Sequence, residues 1–360
     1  MAKRTDTYAL LVLLSSLVCL LLLPLASAGA PKRGVARTRQ AHEEYRRQRQ
    51  LNDIQDRPGR PPLHMFETKA HFEKEKREKG ESGSDTSSAP IKYLGGPVMT
   101  GNPSIDVYII YYGSWPEGSG QNVIENFIRS LSKDSKRQGD PAEPKVKRWW
   151  AISTAYTQEV DGAPTNVSTK VRLAGTVNDN YSAGKSFADD TVWNVVTSNI
   201  GDGKAFAYDA SGIYLLLSSE DVTVPGYCSE YCGWHTMDYI GENPVVYSFV
   251  GHHGQCPDGC GAQSTSPNGN PAIDATVSTI AHEVAEAATD PDAANGWMDD
   301  SGEENADKCS YDVGTTKTGQ NDRGETFEYN LVGMKNMKFL VQRNWDRVKN
   351  ECAAQRKFHS

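Results

Sequence analysis

Apolar positions recur with two different periods between residues 91 and 356. Short runs in which most side chains are apolar predict buried strands, and stretches with apolar side chains three and four residues apart predict amphipathic helices. Because the two kinds of segment alternate, the pattern indicates an α/β or α+β fold, a single domain built on a mixed sheet. The predicted strands are 105–112, 167–173, 212–218, 244–250 and 338–342, and the predicted helices are 121–132, 146–157, 187–200 and 274–288.

The helix predicted at 274–288 carries the clearest chemical motif of the chain. His282 and Glu286 are four residues apart, so their side chains leave one face of the helix and could hold one metal ion. Glu283 follows His282, where the helix of a metallopeptidase carries its general base. The usual zinc motif has His at the position of Glu286, and Asp274 is expected to cap the helix. The pattern therefore predicts a zincin-like metal-site helix with an altered ligand.

A metal site needs at least one more protein ligand, and Asp307 is the preferred candidate. It follows the acidic segment 299–304, which is long enough to fold back on the helix, and Asp299 and Glu304 are alternatives. Zinc is the first choice of metal because the helix geometry suits it, and the two carboxylates, which are hard ligands, make manganese or calcium alternatives. In the competing interpretation, the same residues form an ion-paired helix face that only fixes the following loop.

Other histidines have simpler interpretations. Core packing or a hydrogen bond near the cysteines is expected for His235, and a loop position is expected for His252 and His253. Two tryptophans beside predicted loops, Trp234 and Trp297, are expected in the core, with stacking on sugar rings as the alternative.

The amino-terminal part of the chain has a different composition. Residues 1–28 predict a signal peptide, because a basic start and an apolar run are followed by the small residues Ala26-Ser27-Ala28. This predicts a secreted protein that has no membrane segment after cleavage. Residues 29–90 are rich in charge and predict a disordered tail or pro-segment, in which 41–51 and 66–79 could form transient or docked helices. The globular domain is expected at 91–356.

Six of the seven cysteines lie outside the signal peptide, and an even number in a secreted chain predicts a disulfide framework in the carboxyl-terminal half. Their connectivity stays open, since six cysteines allow 15 pairings. The predicted disulfide cysteines are Cys228, Cys232, Cys256, Cys260, Cys309 and Cys352.

Two further features of the sequence concern the surface of the protein. Asn166 and Asn180 stand in sequons for glycosylation. The net charge of −8 argues against nucleic acid as a partner.

Several short segments together resemble the phosphate-induced/EXORDIUM family of secreted plant proteins and their microbial relatives. The resemblance covers most of 93–352 and rests on 95–98, 107–115, 212–215, 227–235, 255–260, 280–291, 306–309 and 339–345. It implies an extracellular, cell-wall-associated protein linked to growth and nutrient response, and its helix motif resembles that of zincin-type metallopeptidases.

Two functions are compatible with these residues. In the first, His282, Glu286 and Asp307 hold an ion, and Glu283 accepts a proton from a water molecule that attacks a peptide carbonyl. In the second, the protein is a non-enzymatic wall or matrix component that binds polysaccharide or a surface partner. The sequence alone leaves open whether the protein is an enzyme.

Overall fold

A computed structural model describes residues 64–78, 89–101, 103–133 and 144–357. The predicted signal peptide and the predicted helix at 41–51 lie outside these ranges. The helices are α1 Lys69–Glu78, α2 Gln121–Ser130, α3 Val146–Ser153, α4 Asp189–Ser198, α5 Pro257–Cys260 and α6 Pro271–Thr289. The strands of the main sheet are β1 His64–Glu67, β3 Ile105–Tyr112, β6 Val171–Asp179, β7 Gly212–Ser218, β8 Tyr231–Ile240 and β9 Asn243–Val250.

Five pairs of short strands lie outside the main sheet. Each pair is antiparallel, and together they shape the loops around the carboxyl-terminal half of the domain. The pairs are β2 Lys92–Tyr93 with β10 Trp297–Met298, β4 Thr157–Val160 with β5 Ala163–Asn166, β11 Lys317–Gln320 with β12 Thr326–Tyr329, β13 Leu331–Val332 with β14 Lys338–Phe339, and β15 Asn344–Asp346 with β16 Glu351–Ala353.

The main sheet is mixed, with the strand order β1-β8-β9-β7-β3-β6. Strands β9, β7, β3 and β6 run parallel to one another. Strand β8 runs antiparallel to β9, and β1 runs antiparallel to β8. Parallel strands must be covered on both faces, which explains why most side chains of β3 and β7 are apolar. The predicted mixed α/β fold is confirmed.

The two faces of the sheet bury separate apolar clusters. Along β3, Val107 and Ile109 point towards α2, α3 and α6, while Ile110 and Tyr112 point towards α4. This alternation follows from the period of two in a strand. The chain therefore forms three layers, with α6 packed on the face that also carries the candidate site.

Helix α6 begins three residues earlier than the sequence predicted. Its amino-terminal cap is Asn270, whose side chain accepts hydrogen bonds from the backbone N–H of Ala272 at 3.1 Å and of Ile273 at 3.4 Å, and Pro271 occupies the first turn. Asp274 is therefore not the cap. Its carboxylate instead accepts hydrogen bonds from Ser266 and Asn268.

Residues 64–78 of the charged segment are ordered and contact the domain. The predicted helix at 66–79 is confirmed as α1, and the preceding strand β1 pairs with β8, with His64 opposite His235 and Phe66 opposite Gly233. Strand β1 was not predicted, because four residues are too few to show a period. The main sheet therefore begins before residue 91, where the domain was expected to start.

Three disulfides confirm the predicted framework. Cys228 bonds to Cys256 and Cys232 bonds to Cys260, so that the loop before β8 and strand β8 itself are tied to the segment around α5. The third bridge, Cys309–Cys352, closes a longer loop with a sequence separation of 43 residues.

Within the described ranges, none of the helices combines the length and the apolar character that crossing a membrane requires.

The double substitution Cys309→Ala with Cys352→Ala is expected to lower the free energy of unfolding by about 4 kcal/mol, because it releases a long loop in the unfolded chain. Urea unfolding followed by tryptophan fluorescence measures this change.

Native protein should show no reactive thiol among the six cysteines. Labelling of two or more of them without reductant would contradict the framework.

Candidate metal centre

Helix α6 brings the two predicted ligands of the motif together inside the protein. His282 and Glu286 are both fully buried, and His282 Nε2 lies 3.1 Å from Glu286 Oε2. The helix holds these polar side chains at this depth because the apolar side chains Val277, Ile280 and Val284 pack its other face into the core. The predicted pairing on one helix face is therefore present.

Asp307 completes the predicted set. Its backbone N–H donates to Glu286 Oε1 at 3.0 Å, and its Oδ1 lies 3.4 Å from His282 Nε2. The residue starts a single 3₁₀ turn, Asp307–Cys309, that the disulfide to Cys352 holds in place. The acidic loop does fold back on the helix, as the sequence predicted.

Gln342 fixes the orientation of the His282 ring. Its Oε1 lies 3.2 Å from His282 Nδ1, and its Nε2 donates to the backbone carbonyl of Ala306 at 2.7 Å. Since an amide oxygen only accepts, Nδ1 carries a proton and Nε2 faces Glu286 and Asp307. A hydrogen bond of this kind on the distal nitrogen is what orients metal-bound histidines in general.

A fourth side chain, His64 of β1, enters the cluster from the amino-terminal segment. Its Nε2 makes a hydrogen bond with Asp307 Oδ2, and its Nδ1 lies 3.1 Å from Glu304 Oε2. The ring stands over His235, with 5.8 Å between centroids, as expected for residues opposite one another in antiparallel strands. Sequence reasoning missed His64, because it lies more than 200 residues before the motif in a charged segment.

Several buried side-chain atoms of the cluster lack hydrogen bonds to any described residue, and two of these atoms lie at its centre. These are His282 Nε2 and Glu286 Oε2, which lie 3.1 Å apart. Ligand atoms around a tetrahedral zinc ion are separated by roughly 3.3 Å, given bonds of roughly 2.0 to 2.1 Å. The separations of 3.1 and 3.4 Å from His282 Nε2 agree with this value. His64, Glu286, Glu304 and Asp307 each offer an atom within 4.8 Å of the others. Two overlapping donor sets, one with His282 and one with His64 and Glu304, share Glu286 and Asp307 and could each hold a divalent cation.

Electrostatic interactions in the cluster oppose the effects of burial. Burial by itself lowers the pKa of His282, but Glu286 and Asp307 overcome this and raise it well above its usual range. Burial likewise favours the neutral form of Asp307, but His64 and His282 hold the pKa of this carboxyl well below its usual range. Positive charge is thus favoured at the position where a metal would lie.

Glu283 lies beside the ligands rather than among them. Its Oε2 is 3.3 Å from His235 Nδ1, and burial raises the pKa of the carboxyl well above its usual range. His235 Nε2 lies 3.1 Å from the carbonyl of Asp290, so Nε2 is the donor and Nδ1 accepts from the protonated Glu283. Burial, reinforced by His64, lowers the pKa of His235 to about 3, which keeps this ring neutral.

The close approach of β8 to α6 at this point requires a glycine. A Cβ atom on Gly233 would lie 2.9 Å from Glu283 Oε1 and 2.8 Å from Thr279 Cγ2. Gly233 therefore leaves the space in which the Glu283 carboxylate sits. His235, two residues further along β8, is buried and hydrogen-bonded as expected, and with Glu283 and Glu286 it also forms a second group that could hold a metal ion.

The remaining candidates do not join the cluster. Asp299 pairs with Lys308 at 2.7 Å. His253 lies near Cys256 and Cys260, but both cysteines are in disulfides, and its ring instead contacts Tyr227 and Thr279.

The tryptophans considered for sugar stacking are buried, and both sequons are exposed. Trp234 is fully buried, and Trp297 is 7% exposed, with Nε1 donating to the carbonyl of Thr157. Neither ring offers a free face to a polysaccharide.

Asn166 and Asn180 lie on the surface, a position compatible with glycosylation.

Comparison with known proteins places most of the chain in one family. The family model described as the phosphate-induced protein 1 conserved region matches residues 91–355. The chain belongs to this family. All the cluster residues except His64 lie within the matched region.

Several plant proteins are similar to the chain over most of its length. Protein EXORDIUM-like 5 of Arabidopsis thaliana is 32% identical over 294 residues, which cover 73% of this chain and 77% of that protein. Protein EXORDIUM-like 3 of the same plant is 33% identical over 291 residues, covering 73% and 82%. Protein PHOSPHATE-INDUCED 1 of Nicotiana tabacum is 26% identical over 291 residues, covering 73% and 87%. No solved structure matches the chain.

Substitution His282→Ala is expected to weaken binding of zinc by more than roughly 100-fold, beyond the loss typical of removing only an outer hydrogen-bond partner. Asp307→Asn should weaken it less, because the amide oxygen can still coordinate. Titration with zinc against a chromophoric chelator measures both changes.

The matched control is His253→Ala. His253 is equally buried but faces Tyr227 and Thr279, so this variant should lose stability and keep its zinc affinity. Equal zinc affinity in the parent and in all three variants would exclude this cluster as the metal centre.

Proposed function

We propose that the protein is an extracellular metal-dependent hydrolase of the peptidase type, with zinc as the first candidate metal. The observation that carries the proposal is the convergence of His282 Nε2, Glu286 Oε2 and Asp307 Oδ1 beside the carboxyl of Glu283. The family assignment and the disulfides support it only in part, because they indicate a related group of proteins and an oxidising compartment.

Each residue has a distinct part in such a reaction. His282, Glu286 and Asp307 would hold the ion, which when bound supplies a Lewis acid that polarises a carbonyl group. With the ion in place, its positive charge would favour the ionised form of Glu283, and this carboxylate would accept a proton from the attacking water as the water oxygen bonds to the carbonyl carbon. Glu283 then returns this proton to the leaving nitrogen as the C–N bond breaks. His235 keeps the Glu283 carboxyl in position.

Compared with a site of three histidines, this one places more negative charge on the ion. Two carboxylate ligands nearly neutralise a divalent cation, so it acidifies water less strongly. The same oxygen ligands keep manganese and calcium as alternatives.

The second candidate is a non-enzymatic wall or matrix protein in which the metal only stabilises the fold. The observation that favours it is the closure of the site. His64, His282 and Glu286 are almost completely buried, and structural zinc sites are closed by protein ligands, whereas catalytic sites keep one position open. Binding of polysaccharide or of a surface partner would then involve another surface of the protein.

The variant Glu283→Gln separates the two candidates. The amide keeps the size of the side chain and leaves the ligands untouched, so metal content should stay at the parental level. Hydrolysis should fall by roughly 100-fold or more, because an amide cannot accept the proton of water.

Activity is measured on a mixture of quenched fluorescent peptides, with the full chain tested both intact and after limited digestion by trypsin. His282→Ala is the control that loses both metal and activity. Parental activity in Glu283→Gln would refute the assigned role of Glu283. A metal-loaded parent that cleaves no peptide in either form would favour the structural role.

A further inference from the structure

We propose that β1 occupies a groove made for an extended peptide, and that a separate peptide strand binds along β8 in its place. The groove passes directly over the metal cluster, so the proposal deepens the proposed function by naming its substrate class. Only cleavage of the bound peptide rests on that function, since binding is measured independently.

Strand β8 provides the backbone half of the groove. In the described sheet it is flanked by β9 on one side and by β1 on the other, so removal of β1 would leave β8 as an edge strand. The pairing runs from His64 opposite His235 to Glu67 opposite Tyr231. An edge strand beside a functional cluster is a general docking site for extended peptides, because the main chain of the peptide completes the hydrogen bonds.

On one side of the cluster, the groove holds an aromatic side chain. Phe66 is 2% exposed and stacks on the His282 ring with 4.1 Å between centroids and on Tyr311 with 5.1 Å. The Tyr311 hydroxyl also donates to the carbonyl of Glu67 at 2.5 Å. This position therefore recognises both a large apolar side chain and the backbone that follows it.

On the other side of the cluster, β8 leads to an apolar pocket. From His235 the strand continues to Met237 and Tyr239, which alternate onto the same face and line a cavity of about 240 Å³. Tyr239 is 53% exposed, so its side chain is accessible to a ligand at this cavity. Because β1 is antiparallel to β8, a peptide that extends in the amino-terminal direction past the His64 position would run along these residues.

The two subsites define the ligand. It is an extended peptide with an apolar residue on its amino-terminal side and an aromatic or other large apolar residue on its carboxyl-terminal side. The residue between them lies against Asp307 and Glu304, where His64 now stands. The His64 imidazole fills this position and contacts both carboxylates.

The family assignment suggests that β1 is an occupant of the groove rather than one of its walls. The matched region, 91–355, contains His235, His282 and Tyr311 but not His64 or Phe66. The part of the chain that defines the family therefore contains the groove without the strand that fills it.

The test uses the full chain with a recognition sequence for a specific protease inserted between Gly83 and Ser84. The folded protein is cut there and mixed with a fluorescein-labelled synthetic peptide that has the sequence of residues 61–79. Fluorescence anisotropy should show saturable binding to the cut protein in the presence of a chelator, and much weaker binding to the uncut protein.

Peptide variants test the register. Phe66→Ala in the peptide should weaken binding by roughly tenfold or more, because a large apolar side chain leaves its pocket. Met65→Ala is the matched control, since Met65 lies on the opposite face of the strand and is only partly buried. It should bind nearly as well as the parent peptide.

Two results would overturn the proposal. One is a cut protein that stays folded by circular dichroism but takes up no labelled peptide over several days. The other is binding that Phe66→Ala and Met65→Ala weaken equally. Peptide binding together with a catalytically silent metal site would refute the hydrolase while leaving the groove intact.

Discussion

The burial of several carboxylates beside several imidazoles is the constraint on which this structure depends. Glu283, Glu286 and Glu304 are fully buried, and Asp307 lies within contact of His64 and His282. Isolated charges at such depth are very costly, and they persist only when they are paired, protonated or bound to a metal. A cation held by His282, Glu286 and Asp307, as we propose, would balance part of this buried negative charge.

The elements around the cluster are arranged to hold it. Helix α6 supplies three of the side chains, and Gly233 lets β8 come close enough for His235 to meet Glu283. The turn at Asp307 is tied down by a disulfide on one side and by Gln342 on the other. Both main candidates for function need this support, since a catalytic site and a structural site each require fixed ligands.

The sequence predicts those parts of the structure that depend on local periodicity. Strands 105–112 and 212–218 were predicted with the bounds that β3 and β7 have, because most side chains of these buried parallel strands are apolar. The helix motif and the acidic loop were sufficient to bring His282, Glu286 and Asp307 together. The start of α6 was missed, although Asn270-Pro271 is a recognisable sequence signal for a helix start.

What the sequence did not predict depends on long-range contacts. Strand β8 mixes cysteine, glycine, tryptophan and histidine, and its pattern gives no clear period, so the strand that carries His235 was not predicted. The role of His64 depends on a pairing between residues 64 and 235, which no local signal encodes. A histidine followed after one residue by an aromatic residue in an otherwise charged segment was the only hint.

X-ray absorption spectroscopy of the full chain, purified without chelators, tests the buried metal centre most directly. The account predicts about one divalent metal per chain, with nitrogen and oxygen ligands at roughly 2.0 to 2.2 Å and the scattering pattern of imidazole. A folded protein without metal would contradict it, as would sulfur ligands at roughly 2.3 Å, since these would place the ion at the cysteines instead.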